Sequence, residues 1–137
     1  MPVLDANLLV VLVSGDPRRI SVLQQITQWL DDGVSLHTPL LAQYEIASAL
    51  TRLVVSGAFP KSKVDEAVSN ILVLPLSYHS KVNIPRVVEI ANILGRRSAY
   101  DAAYISLAES LDSELWTLDG PLYRNATEYR FRVRLIQ

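Results

Sequence analysis

The run Leu115-Trp116-Thr117-Leu118 constrains this chain more than any other stretch: it offers no clearly polar face and is bounded by Asp112-Ser113 and by Asp119-Gly120-Pro121. A strand with no wet face is buried on both sides, as in parallel sheets whose crossover connections lay helices over each face. The segment before it, residues 98–111, reads as the helix of such a crossover. Ser98 stands as its cap, and Ala99, Ala102, Ala103, Ile105, Leu107, Ala108 and Leu111 keep it apolar.

The same alternation is legible from the start of the chain. Pro2-Val3-Leu4 reads as a short buried strand ending at Asp5, followed by a helix over 8–13. Asp16-Pro17 reads as a cap and first helical position for a helix carrying Ile20, Leu23, Ile26 and Leu30 towards Gly33. Val34-Ser35-Leu36-His37 predicts a strand, Thr38-Pro39 the cap of a helix reaching Ser56, and Gly57 its stop. A helix over 62–72, a weak strand over 73–76, a helix over 85–94 and a strand with one wet face over 130–134 complete the order. Asp119-Gly120-Pro121 reads as a tight turn. Strand and helices in repetition predict an α/β fold: a three-layer α/β/α sandwich with a mainly parallel central sheet.

Length and charge narrow the function. A chain of 137 residues is expected to form one domain, 1–137. Cysteine is absent, which excludes a disulfide framework or thiolate metal site and fits a reducing, cytoplasmic setting. The apolar run over 8–13 is too short to span a bilayer, so no membrane is expected as a partner, and Asp5 stands where a signal peptide needs basic residues. The net charge of −1 argues against strong non-specific binding to nucleic acid.

Four carboxylates stand out by position. Asp5 and Asp119 end short apolar strands, the edge at which open α/β sheets build sites, and Asp101 opens a helix. Glu45 lies inside an otherwise apolar helix beside Ala42, Ser48 and Ala49, and a charge there must be paired, metal-bound or at a cleft. Each also has a plain reading: Asp5 as a helix cap, Asp119 as a turn residue, Asp101 with Ser98 as a capping box, and Glu45 paired with Arg52. Together the four would repel one another unless cations neutralise them, and hard oxygen ligands suit Mg²⁺ or Mn²⁺. His37, at a possible strand end, reads as structural and His79 as solvated in a polar loop.

VLDANLLV, QYEIASAL, LGRRSAYDAAYISLAE and LWTLDGPL resemble the four acidic motifs of PIN-domain ribonucleases, with the VapC-type toxins of toxin–antitoxin pairs as the nearest match. The resemblance spans essentially the whole chain. It implies metal-dependent endonucleolytic cleavage of RNA at Asp5, Glu45, Asp101 and Asp119, which would bind Mg²⁺ (or Mn²⁺), with Asn7 and Thr117 supporting them. It also implies a homodimer silenced by a VapB-like antitoxin. The helices expected over 39–56 and 62–72 offer a groove for a partner helix. The chain departs from the family pattern in two places: Ala6 stands where Ser or Thr is usual, and the dipeptide Gly120-Pro121 where basic residues are. Two divalent ions would turn the net charge of −1 into +3, mildly attractive to a phosphate backbone. Arg52, Arg96, Arg97 and Arg124, each near an acidic motif, are the candidate RNA contacts.

Other classes fit less well. A receiver-type signalling domain needs an acidic pair after its first strand and a lysine near its last, but the only lysines are Lys61, Lys63 and Lys81. An aspartyl phosphatase needs D-x-D, but Asn7 follows Asp5 at that spacing. A PIN nuclease of RNA processing outside any toxin pair, and a non-catalytic interaction domain whose acids are caps, remain as alternatives.

Overall fold

Val3 and Leu4 point to opposite faces of one strand, as consecutive strand residues must, and both are fully buried. The sheet that contains them is therefore covered on both sides. A computed structural model describes residues 1–96 and 98–137. Its elements are β1 (Val3–Leu4), α1 (Ala6–Val13), α2 (Arg19–Asp31), β2 (Leu36–Pro39), α3 (Leu41–Val55), a 3₁₀ turn (Lys61–Lys63), α4 (Val64–Leu72), β3 (Leu76–His79), α5 (Ile84–Leu94), α6 (Tyr100–Ser110), β4 (Leu115–Thr117), α7 (Gly120–Glu128) and β5 (Val133–Leu135). The strands lie in the order β3-β2-β1-β4-β5, and every pairing among them is parallel. This is the expected α/β/α sandwich.

The strand order positions the site. From β1 the chain moves outward through β2 to β3, then returns to lay β4 on the other side of β1. The direction reverses between β1 and β4, and in open α/β sheets the carboxyl ends of the strands at such a reversal are where sites are built. Helix α6 packs over β1, β2 and β4, and its buried alanines, Ala102 and Ala108, allow that close approach. Trp29 of α2 sets its ring edge-on to Trp116 of β4, with centroids 5.1 Å apart.

Several local expectations shift. Thr38-Pro39 does not cap α3 but ends β2, because the Thr38 hydroxyl is drawn inward to the Leu4 carbonyl at 2.8 Å. Pro39 is tolerated as the last strand residue, and the Leu40 N–H makes the next bond to β3, to the His79 carbonyl at 2.8 Å. In α2 the buried stripe is Val22, Ile26 and Trp29, whereas Ile20, Leu23 and Leu30 face outward. Leu74 still packs against the core, but β3 begins only at Leu76, and His79 ends that strand with its ring 2.8 Å from His37. Residues 119–121 are not a closed turn but the start of α7. The last strand is confined to Val133–Leu135, where Arg132 and Arg134 pair with Asp112 and Glu114 at 2.9 Å.

Thr38 gives a direct test of the β1–β2 junction, since both its hydroxyl and the Leu4 carbonyl are enclosed. Thr38→Val leaves that carbonyl without its donor and is expected to cost about 1–2 kcal/mol, while Thr38→Ser recovers most of it. The readout is the urea midpoint at constant m-value.

Candidate active site at the carboxyl edge of the sheet

Register creates the core of the site. Leu4 pairs with Trp116 across β1 and β4, so the next residues, Asp5 and Thr117, lie side by side. The Thr117 hydroxyl donates to Asp5 Oδ2 at 2.8 Å, and accepts from the Asn7 side-chain amide at 3.2 Å and the Asp119 N–H at 3.0 Å. One proton and two lone pairs are all that a hydroxyl has, and all are used. Asn7 also donates to Asp5 Oδ2 at 3.3 Å and accepts from the Leu118 N–H at 3.3 Å. Asn7 and Thr117 thus both hydrogen-bond Asp5.

The cap readings prove compatible with a site. Asp5 caps α1, accepting from the Asn7 N–H, and Asp119 caps α7, accepting from the Leu122 N–H at 2.9 Å. Pro121 sits in the first turn of α7, where a missing N–H is harmless. Each carboxylate caps with one oxygen. Asp119→Ala is expected to cost about 1 kcal/mol through the lost cap, and Asp119→Ser, which restores a capping oxygen, to melt near wild type. Thermal melts in chelator separate that effect from any loss of function, which both variants should share.

Glu45 stands in the second turn of α3, and its partner is not Arg52. Arg52 donates to the Ser48 hydroxyl at 2.9 Å, whereas Glu45 Oε1 accepts from the Tyr104 hydroxyl at 2.5 Å. Asp101, in the first turn of α6, has the Arg96 guanidinium 3.9 Å away, and the Ser98 hydroxyl accepts from the Tyr100 N–H at 3.3 Å. Tyr104, which sequence reasoning missed, lies on the same face of α6 as Asp101 by its i+3 spacing, and that spacing is the signal that could have found it.

The charges feel one another. Burial pushes the Asp5 carboxyl up to about 7; the nearby Glu45 and Asp101 charges push the same way, against hydrogen bonds from Thr117 and Asn7. Burial also raises the Glu45 carboxyl, with Asp101 adding to it and the Tyr104 bond and the Arg52 charge opposing. Asp101 is raised by burial and by Asp119, against Arg96. The Tyr104 phenol is pushed far up, by burial first and then by Asp5 and Glu45, so it stays a donor. Among the described residues, no three His, Asp or Glu side chains already stand as a closed ligand set, so the carboxylates meet at electrostatic range.

A cleft of about 510 Å³ opens from Asp5, Asn7 and Glu45 along α1 and α3 to Arg52 and a two-point ion pair between Asp16 and Arg18. Asp101 and Asp119 lie off its walls. A larger hollow of about 670 Å³, over Leu41, Val87, Tyr100 and Leu107, holds no carboxylate, so chemistry rather than volume marks the site. Arg124 folds its guanidinium over Gly120, where an added Cβ would come within 3.1 Å of it. Arg96 is beside Asp101 as described, and Arg97 lies outside the described residues.

The sequence profile of the PIN domain matches residues 3–128. The chain belongs to the PIN domain family. PIN domains are, as a rule, metal-dependent nucleases. The crystal structure of PAE2754 from Pyrobaculum aerophilum superposes on this PIN domain with a TM-score of 0.69 at 22% sequence identity, covering 90% of this chain and 78% of that one. That likeness is one of fold. No curated protein matches the chain. Among the described residues no helix is long and apolar enough to cross a membrane.

The donor set of this PIN domain fits a small hard dication. The candidates are all carboxylate oxygens, each raised group is raised partly by another carboxylate, and Asp5 and Glu45 face open cleft.

Proposed function

We propose that this PIN domain is a Mg²⁺-dependent endoribonuclease and the toxin of a VapC-type toxin–antitoxin pair. The observation that carries the nuclease reading is the pairing of Asp5 and Glu45 on the walls of one cleft that also carries Arg52, both carboxyls raised by burial first and further by neighbouring carboxylates, Asp101 among them. Asp5, Glu45, Asp101 and Asp119 would hold the ion, Mn²⁺ substituting for Mg²⁺. The chemistry such an ion supplies is charge neutralisation at the phosphate and a water acidic enough to attack it. Asn7 and Thr117 orient Asp5 by occupying Oδ2. Arg52, which lines the cleft, would meet phosphates in this reading, with Arg96, Arg97 and Arg124 as further candidates by their place in the chain. Attack by water breaks the bond from phosphorus to the 3′ oxygen, which takes up a proton. The products are a 5′-phosphate and a 3′-hydroxyl.

The toxin reading rests on the motif resemblance. A small apolar hollow of about 270 Å³ between α3 and α4, lined by Ile46, Val68, Ile71 and Leu72, is suited to side chains of an antitoxin helix. The expected assembly is a homodimer in the cytoplasm, silenced by an antitoxin encoded by a small reading frame directly upstream.

The test is cleavage of an RNA panel by purified protein, with product ends mapped. Cleavage in millimolar Mg²⁺ or Mn²⁺, none in excess EDTA, and 5′-phosphate ends are expected. Full cleavage in EDTA, or 2′,3′-cyclic phosphate ends, would end this reading. A strictly monomeric species at micromolar concentration in sedimentation would remove the dimer.

A further inference from the structure

Tyr104 is almost fully enclosed, at 2% exposure, yet its hydroxyl emerges at the one acidic side chain of α3. A buried phenol needs a partner, and here the partner is Glu45 Oε1 at 2.5 Å, across 59 positions of sequence. The amide of Ala6, the residue after Asp5, also faces the phenol oxygen. The hydroxyl therefore stands where α1, α3 and α6 meet. Its geometry divides the two oxygens of Glu45: Oε1 accepts a charge-assisted bond, and Oε2 has no hydrogen bond among the described residues, on a side chain that lines the cleft.

We propose that Tyr104 is a positioning residue that makes Glu45 a one-oxygen ligand and so biases the site towards Mg²⁺ or Mn²⁺ over Ca²⁺. This rests on the metal-dependent reading given above. The physical basis is the contrast between the ions. Mg²⁺ is small, demands octahedral geometry and uses few single carboxylate oxygens, whereas Ca²⁺ is larger and accepts both oxygens of one carboxylate. With Oε1 already accepting a short hydrogen bond, two-oxygen binding has to compete with that bond and is disfavoured. Partners that hold a ligating carboxylate in place commonly govern metal affinity in this way.

The experiment is calorimetric titration of Mg²⁺, Mn²⁺ and Ca²⁺ into wild type, Tyr104→Phe, Glu45→Gln and the double variant, with no RNA present. Tyr104→Phe keeps the ring and its packing, and melts in EDTA establish that each variant is folded. Mg²⁺ and Mn²⁺ affinity should fall by about 10-fold in Tyr104→Phe. Ca²⁺ affinity should hold or rise, so the Mg²⁺ preference narrows by a similar factor. In the Glu45→Gln background the Tyr104→Phe substitution should change nothing further, since its effect acts through Glu45. Unchanged Mg²⁺ affinity, an equal loss for Mg²⁺ and Ca²⁺, or the same loss in the Glu45→Gln background overturns the proposal for Tyr104 while leaving the metal site standing. A folded wild type that binds no divalent ion overturns both.

Discussion

Glu45→Gln is expected to abolish RNA cleavage, by about 10³-fold or more, in a protein that still folds. The size follows from the several kcal/mol that a catalytic dication contributes, each 1.36 kcal/mol being tenfold in rate, so roughly 4 kcal/mol is at stake. The fold should survive because glutamine keeps the shape and still accepts the Tyr104 hydroxyl through its amide oxygen. The two roles of Glu45 separate in the readout. A purely structural glutamate would lose stability and retain turnover, whereas a ligand loses turnover and metal affinity together. Cleavage within a few-fold of wild type, alongside an unchanged melt, would remove Glu45 from the catalytic set.

Asp5→Asn should have the largest effect on stability, and its sign depends on pH and metal. In the fold, burial holds the Asp5 carboxyl at about 7, whereas the unfolded chain titrates near the ordinary aspartate value of about 3.9. Below pH ~4 both states keep the proton and the group contributes nothing. Between about 4 and 7 the unfolded chain releases its proton while the fold retains it, so the metal-free protein loses stability as pH rises. Above 7 the cost is complete. A three-unit shift corresponds to about 4 kcal/mol at most, and because Asp5 opens onto the cleft, about 2–3 kcal/mol is the expected penalty.

Asparagine removes that charge and can still accept from Thr117. Asp5→Asn should therefore melt higher than wild type in EDTA at pH 8, by roughly 6–12 °C, and close to wild type at pH 4. Adding Mg²⁺ should raise wild type by mass action and leave the variant nearly unmoved. A variant that melts below wild type in EDTA at pH 8, and still gains the full Mg²⁺ increment, would make Asp5 only a cap.

The secondary structure was legible where short-range chemistry decides it. Val3-Leu4 and Leu115-Trp116-Thr117 have no polar face, so a sheet covered on both sides follows from composition alone. Helix α7 was not legible, because Gly120 and Pro121 look like a break until Asp119 is seen accepting from the Leu122 N–H. The stripe of α2 was misjudged for a related reason: Ile20, Leu23 and Leu30 keep helical spacing, but the sheet presents Trp116 to the face that carries Trp29. Periodicity names a face only when one face alone is apolar.

The sequence by itself determined the α/β alternation and the acids at element ends: Asp5, Asp101 and Asp119 each sit where a strand stops or a helix starts. Those positions are local, set by capping and strand length within a few residues. Tertiary structure alone decided what each acid meets. Thr117 bonds Asp5 because β1 and β4 pair in one register, and a shift of one residue would turn that hydroxyl to the other face. Glu45 takes its hydrogen bond from Tyr104, arriving from α6, while Arg52 donates to Ser48 on its own helix. Partners so far apart in sequence are chosen by packing and register, and spacing along the chain carries no record of either.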